Sequence, residues 1–406
     1  MKGSAARLRS LFAQKTTERM PTDFTAINHY VPQWYQHRFI PSGRLERKYH
    51  YLDLVPERIP DRGPKRFHLR NERRLLGPIS CFEQEHLYTL FFGGNATDVI
   101  EKKFFGKIDE SGSAALELFL DYKWTNVEHH TIHDFIDFIG AQKLRTPKGL
   151  DHLKLVAKGA DHRQALVYMQ QLRQVYVTMW MECVWEVLCC DNSPTKFIVS
   201  DHPVTTYNRS LFPLSEPCTY PRDAGIELLG THTIFPLSLN RCLVLTNLGY
   251  ARNPGVNPVK PRENPRAYEQ TMFDMRKVQT GRQLVERDVQ AINFIMKRRA
   301  RRFIAAGEKE WLYPEKRVGR TMWNKLGDKF FLMPDPRKMQ FSTDIVMGFK
   351  GGGGFGVDEY GRQPNRKDAE VVALRENEWK TFHKHQELWE SKFGVLSGEE
   401  FRALWL

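Results

Sequence analysis

The chain has 406 residues with a formal net charge of +13, 41% hydrophobic and 12% aromatic residues. That length exceeds one small core, and the apolar content is ample for an interior, which excludes a disordered low-complexity chain. No apolar run approaches the roughly 20 residues of a membrane-spanning helix, and the most apolar stretch, Val175 to Cys190, is interrupted by Glu182 and Glu186, so a soluble protein is expected.

The charge is uneven. Residues 1–75 hold 16 Lys and Arg against 7 acids, and residues 276–320 hold 13 against 5, which leaves a balance of −4 for the remainder. Clustered cations of this kind suit a polyanion such as nucleic acid, or else form a solvated helix face. The six cysteines contain no Cys-x-x-Cys pair, and the adjacent Cys189 and Cys190 make poor disulfide partners. Reduced thiols in a reducing compartment, hence a cytoplasmic protein, are the expectation.

In chain order, residues 1–21 read as a basic arm, with an organelle-targeting presequence as the alternative. Short strand-like and turn-like pieces follow around Tyr49 to Leu69, and helical periodicity then runs from about Phe82 to Tyr122. Thr131-x-x-Asp134 reads as a capping box that opens a helix ending near Arg145, with Pro147 as its stop. A long helix is expected from about Asp161 to Cys190, apolar nearly all round in its second half and therefore central. Lys196–Ser200, Thr231–Pro236 and Arg241–Asn247 read as strands, and 252–266 as a surface loop.

From Val285 the apolar residues Val289, Ile292, Met296 and Phe303 recur at helical spacing, with Arg298, Arg299, Arg301 and Arg302 at the end of that helix. Beyond it, Gly351–Gly354 read as a hairpin tip, since no Lys-Ser or Lys-Thr follows to make a phosphate loop, and a closing helix runs from about Arg366 to Lys392. Strands and helices mix without strict alternation. The expected class is α+β, mostly helical, with a small mixed or antiparallel sheet carrying the Ser-Asp-x-Pro strand. The segments are the arm at 1–21, a core at 22–305, and a C-terminal extension at 306–406.

Four groups of residues carry candidate chemistry. His29 precedes Tyr30-Val31-Pro32-Gln33, and an imidazole there suits a general base or a metal ligand, with Gln33 beside it. Ser200-Asp201-His202-Pro203 ends a strand, where Asp201 suits ion binding, orientation of a base, or an Asx turn. Arg145 suits bidentate grip of a phosphate or a salt bridge to an acid. His129, His130, His133 and Asp134 are the densest ligand-like cluster, although capping at Thr131 leaves His129 outside the helix.

Taken together, these segments resemble the family catalogued as domain of unknown function 4238. His29, Val31, Pro32, Gln33, Tyr35 and Phe39 match its opening motif, with Glu101 and Glu110 a loose match to a helical glutamate pair. Gln142, Arg145, Thr146 and Pro147 match a helix end, while Ser200, Asp201, Pro203 and Val204 match a strand end. Pro236-Leu237-Ser238, Asn293, Ala300, Arg301 and Phe303 complete the pattern over residues 27–305. His202 departs from it, because the family often places Asn or another polar residue there. The resemblance brings no established activity.

The first functional expectation is a metal-assisted hydrolase of phosphodiester bonds or nucleic acid. In it Asp201 and Glu101 hold a divalent ion such as Mg or Mn, His29 is the base, and Gln33 and Arg145 complete the site. The alternatives are a non-enzymatic nucleic-acid-binding protein using Arg298, Arg299, Arg301 and Arg302, and a structural or interaction module.

Overall fold

A computed structural model describes residues 27–44, 46–60, 67–92, 95–97, 100–159, 161–262, 273–319, 322–326, 330–341, 344–358 and 368–398. The basic arm at 1–21 lies outside the described residues, as does part of the expected 252–266 loop.

Eight strands form two four-stranded antiparallel sheets. In chain order they are β1 (Tyr49–Asp53), β2 (Arg73–Leu76), β3 (Cys183–Cys189), β4 (Val199–Ser200), β5 (Thr205–Asn208), β6 (Thr231–Pro236), β7 (Arg241–Asn247) and β8 (Phe303–Ala306). The first sheet has the order β4-β8-β1-β2 and the second β5-β6-β7-β3. Chain neighbours β6 and β7 pair from His232–Thr246 to Pro236–Cys242, and β7 pairs β3 from Asn247–Cys183 to Arg241–Cys189. The Ser-Asp-x-Pro strand is the edge strand β4 beside β8, and the class is α+β as expected.

The described α-helices of ten residues or more are α1 (Gly106–Leu120), α2 (His129–Leu144), α3 (Pro147–Val156), α4 (His162–Met181), α5 (Glu286–Arg299) and α6 (Ala369–Phe393). Helix α2 buries Ile132, Phe135, Ile136, Phe138 and Ile139 completely or nearly so. It joins the second sheet through aromatic rings: Phe135 stacks on Phe119 of α1 at 4.0 Å, and both rings approach Trp185 of β3. Helices α1 and α2 cross so closely that a Cβ at Gly112 would lie 2.5 Å from the Phe138 Cβ. Only glycine permits that approach.

Several sequence expectations need correction. The stretch 82–122 is helical only in its later part. Glu83–Glu85, Leu90–Phe92 and Asn95–Thr97 are short strands, and a π-helical turn at Ile100–Phe105 leads into α1. Helix α2 starts at His129, and its N-cap Glu128 makes no side-chain cap, so Thr131 and Asp134 do not open it. His129, His130 and His133 are consequently exposed helical residues. Among the described residues no three His, Cys, Asp or Glu side chains cluster as metal ligands.

The expected helix from Asp161 to Cys190 is two elements. Asp161 does cap α4, accepting from the Gln164 N–H at 2.8 Å while Gln164 Oε1 accepts from the Asp161 N–H at 2.9 Å. After Met181, however, the run containing Val184, Trp185 and Val187 becomes β3, rich in the β-branched and aromatic residues that strands favour. A strand covered on both faces is apolar all round, just as a buried helix is.

The extension after residue 305 packs onto the core. Tyr207 Oη donates to the Trp323 carbonyl at 2.7 Å, and Trp323 Nε1 donates to the Asn208 carbonyl at 3.0 Å. Helix α6 brings Trp389 to Tyr250 and Met333 in a second, smaller apolar cluster. Gly351–Gly354 lie at the turn and strand start of a hairpin, Asp344–Gly348 paired with Gly354–Asp358. No described helix is long and apolar enough to cross a membrane.

Candidate functional site

The segment Gln142-Lys143-Leu144-Arg145-Thr146-Pro147-Lys148 turns the corner between α2 and α3. Thr146 caps α3, its Oγ1 accepting from the Gly149 N–H at 3.1 Å, and Pro147 takes the first helical position, where a missing N–H costs nothing. Thr146 Oγ1 also lies 2.7 Å from His202 Nδ1. Two motifs that are 56 residues apart in the chain therefore meet in one hydrogen bond.

His202 leads to a buried carboxylate. Its Nε2 is 3.1 Å from Asp223 Oδ2 and 3.0 Å from Lys143 Nζ. Asp223 also accepts from Lys143 Nζ at 2.8 Å and from Lys148 Nζ at 2.6 Å, and Arg299 Nη1 stands 4.0 Å away. The side chains of Lys143, Lys148, His202, Arg299 and Asp223 are each 9% exposed or less. Three cations thus surround one carboxylate, and the cluster carries a surplus of two positive charges when His202 is neutral.

The electrostatics hold that state. Burial would raise the Asp223 pKa, but the ammonium groups of Lys143 and Lys148 outweigh it and hold the carboxyl well below its usual range. Burial, reinforced by Lys143, lowers His202 to about 3, so its imidazole is neutral near pH 7. Burial likewise lowers Lys143, although Asp223 opposes the shift.

This cluster forms the floor of a cavity of about 350 Å³. Lys143, Lys148 and Asp223 are at its base, and Tyr176, His152 and Ile226 are among its walls. His152 Nδ1 is buried with no hydrogen-bond partner among the described residues, and burial followed by Lys143 lowers its pKa. A net-positive concave site with an unpartnered imidazole nitrogen is suited to an anion and to proton transfer.

The residues expected from sequence occupy other places. Asp201 is buried, and its Oδ1 accepts from the Arg301 N–H at 2.8 Å while Oδ2 accepts from the N–H groups of Arg302 and Phe303 at 2.6 and 2.8 Å. Both oxygens take part in pinning the start of β8, so in this fold Asp201 acts as a backbone clamp. Glu101 sits in the π-helical turn, and its side chain lies outside the described residues.

Arg145 is completely buried, donating through Nε to Gln142 Oε1 and through Nη1 to Asp109 Oδ1, both at 2.8 Å, and it faces the rings of Phe105 and Phe138. It is a satisfied core ion pair rather than a free phosphate anchor. His29 and Gln33 are together at a strand edge, where His29 Nε2 lies 3.1 Å from the Ile79 carbonyl and 3.4 Å from Glu83 Oε2. None of His29, Gln33, Arg145 or Asp201 lines the cavity.

The basic run at the end of α5 is likewise divided among tasks. Arg299 turns inward to the Asp223 cluster, and Arg302 grips Asp53 bidentately. Arg301 donates to Tyr220 Oη at 3.0 Å, and Arg298 is exposed. A continuous four-arginine polyanion surface is therefore not presented.

Sequence reasoning missed Lys143, Lys148, His152 and Asp223 as site residues. The two lysines flank the Arg-Thr-Pro motif and were within reach, whereas Asp223 lies in an irregular loop with no motif around it. His202 stands in the strand-end motif at the position where the family often has Asn or another polar residue, so the family pattern does not point to it.

The helix corner and the strand end that meet at the floor are two of the motifs that carry the resemblance, and the strand end, with the opening His29-to-Gln33 segment, is one of its two specific ones. The family model described as a protein of unknown function, DUF4238, matches residues 28–310. The chain belongs to the DUF4238 family. The match includes the DUF4238 corner at 142–148, the 200–203 strand end, Asp223 and Arg299, while α6 lies beyond it. No curated protein matches the chain, and no solved structure does.

The buried imidazoles give an acid-sensitivity test. Burial also lowers His232 to about 3. For both His202 and His232 the folded pKa lies below the unfolded value near 6.5. The unfolded chain therefore binds more protons between about pH 6.5 and 3, and stability present above pH 6.5 falls as pH drops through that window. Urea midpoints measured from pH 7.5 to 4.5 are expected to decline from about pH 6.5. A flat curve down to pH 5 would show that these imidazoles can be protonated in the folded state.

Proposed function

We propose that this protein binds a phosphate ester in the cavity over Asp223 and hydrolyses a phosphodiester bond there by cation-assisted acid–base chemistry. The observation that carries this reading is the Asp223 cluster at a 350 Å³ cavity: Lys143, Lys148 and Arg222 line it against Asp223 and Glu227, and Arg299 stands behind Asp223, so the site keeps a surplus of positive charge. Anionic phosphoryl oxygens are the chemistry that such a floor favours.

In this reading Lys143 and Lys148 hold the phosphoryl oxygens. His152, neutral, takes a proton from the attacking water at Nε2, the ring nitrogen that is not buried. Lys143, its proton held less tightly because of burial, gives one to the leaving oxygen and stays in contact with His202. The surplus cations also repel a divalent ion, and Asp223 has both oxygens engaged by lysines, so the cluster does not suit the Mg or Mn role expected from sequence. A nucleic-acid chain is the weaker partner, because Arg299 and Arg302 have internal partners. The free thiols of all six cysteines support a reducing, cytoplasmic setting.

The test uses bis(4-nitrophenyl) phosphate as substrate and inorganic phosphate as ligand. Release of 4-nitrophenolate is expected to persist in EDTA, to be competitively inhibited by phosphate, and to fall at least about 100-fold in His152→Ala, the range of a lost general base. His152 is only half-buried, so that variant is expected to keep the wild-type melting temperature. Absence of both turnover and phosphate stabilisation in the wild type would reject the reading.

A further inference from the structure

A second cavity, of about 240 Å³, lies where α6 closes over β5, β6 and the short helix Leu248–Arg252. Its lining is unlike that over Asp223. Tyr207 and His232 stack with ring centroids 6.3 Å apart, Tyr250 meets His232 edge-on at 5.7 Å, and Phe331 adds a fourth ring. Arg209 is the one charged residue of the lining when the imidazoles are neutral, and among the described residues no carboxylate pairs with it.

His385 of α6 completes the wall. It is 6% exposed, yet its Nε2 has no hydrogen-bond partner among the described residues. A buried polar atom left unmatched is costly, and such atoms are rare in folded proteins. His385 belongs to the cavity lining, so a ligand group that enters beside it is placed to supply the partner that Nε2 lacks.

We propose that this cavity is a binding site for a flat aromatic acid. Its ring lies against His232, Tyr250 and Phe331, with Tyr207 backing His232, its carboxylate meets Arg209, and a polar ring substituent reaches in toward His385 Nε2. Three features fix that chemistry. A dry cavity of roughly 150 Å³ accepts benzene, so 240 Å³ accommodates one substituted ring. The ring-walled surface favours an aromatic over an aliphatic body through offset or edge-to-face contact. Arg209 provides a planar fork for a carboxylate. Because α6 forms one wall, the ligand would also fasten the C-terminal extension to the family core.

The experiment is isothermal titration calorimetry on the full chain with 4-hydroxybenzoate, benzoate, phenol and cyclohexanecarboxylate. The proposal expects 4-hydroxybenzoate to bind with a Kd below about 1 mM and the neutral and aliphatic controls to bind at least about tenfold more weakly. Arg209→Gln is expected to weaken the acid by about tenfold or more, leave phenol unchanged, and shift the ligand-free melting temperature little, since Arg209 has no ion partner among the described residues. His385→Phe, which keeps a ring in place, is expected to erase the preference for 4-hydroxybenzoate over benzoate. No binding of 4-hydroxybenzoate, or equal binding by Arg209→Gln, overturns the proposal. Binding that survives Arg209→Gln and is displaced by inorganic phosphate would place the acid over Asp223 and overturn it too.

Discussion

Asp223→Asn is expected to destabilise the protein by about 4 kcal/mol, the range found when one partner of a buried ion pair is removed. The carboxylate is the single negative charge between Lys143, Lys148 and Arg299. An amide oxygen can still accept from one lysine, but it no longer offsets three buried cations, and its NH₂ faces donors. Removing a cation together with the anion should be milder. In a double-mutant cycle, Asp223→Asn with Lys143→Met is expected to cost less than the sum of the single changes.

The urea midpoint at unchanged m value reads these losses. The wild-type protein should also lose stability as pH falls below about 4, because the Asp223 pKa is lower in the folded than in the unfolded state and the ion cluster must be protonated away. Asp223→Asn should lack that component. A cost below about 1 kcal/mol would mean that the three cations do not depend on Asp223.

Asp201→Asn is the second large effect, at about 3 kcal/mol, through loss of charge-assisted acceptors for three backbone N–H groups. These donors belong to Arg301, Arg302 and Phe303, where the chain enters β8. The Asn amide offers one acceptor oxygen and directs its own N–H groups at donors. Hydrogen exchange should quicken first at 301–304 and at the partner strand β1, because β8 pairs with both β4 and β1. A variant that keeps its urea midpoint would remove the clamp role from Asp201 and return it to the candidate ligands.

How far the sequence spoke depends on what kind of order each residue obeys. Thr231–Pro236 and Arg241–Asn247 were legible to the residue because turn-forming Pro236 to Asn240 bounds two short apolar runs. The start of α4 was legible because its cap is local, Asp161 and Gln164 satisfying each other within one turn. β3 was not, since whether Val184 to Cys189 continues a helix or joins a sheet is decided by β7, more than 50 residues further along. For the site, the motifs at 142–147 and 200–203 were both visible, and their side chains were assigned outward tasks that the fold instead gives to its interior. Arg145 and Asp201 stabilise the frame, while their neighbours Lys143 and His202 face the cavity. Asp223 was unreadable in advance because a lone acid in an irregular loop acquires meaning only from the lysines that fold around it.

The corner at Arg145-Thr146-Pro147 has a geometric consequence for charge focusing. On one uninterrupted helix, residues five apart point about 140° away from each other around the axis, since each advances by about 100°. Lys143 and Lys148 would then face different neighbours, and no single carboxylate would reach both. Breaking the helix after Leu144 and restarting it at Pro147 resets the angular count, so two ammonium groups that a straight rod would scatter converge on Asp223. The Arg-Thr-Pro segment thus acts as a lens in the backbone: it marks the family in sequence and concentrates positive potential at one point in space.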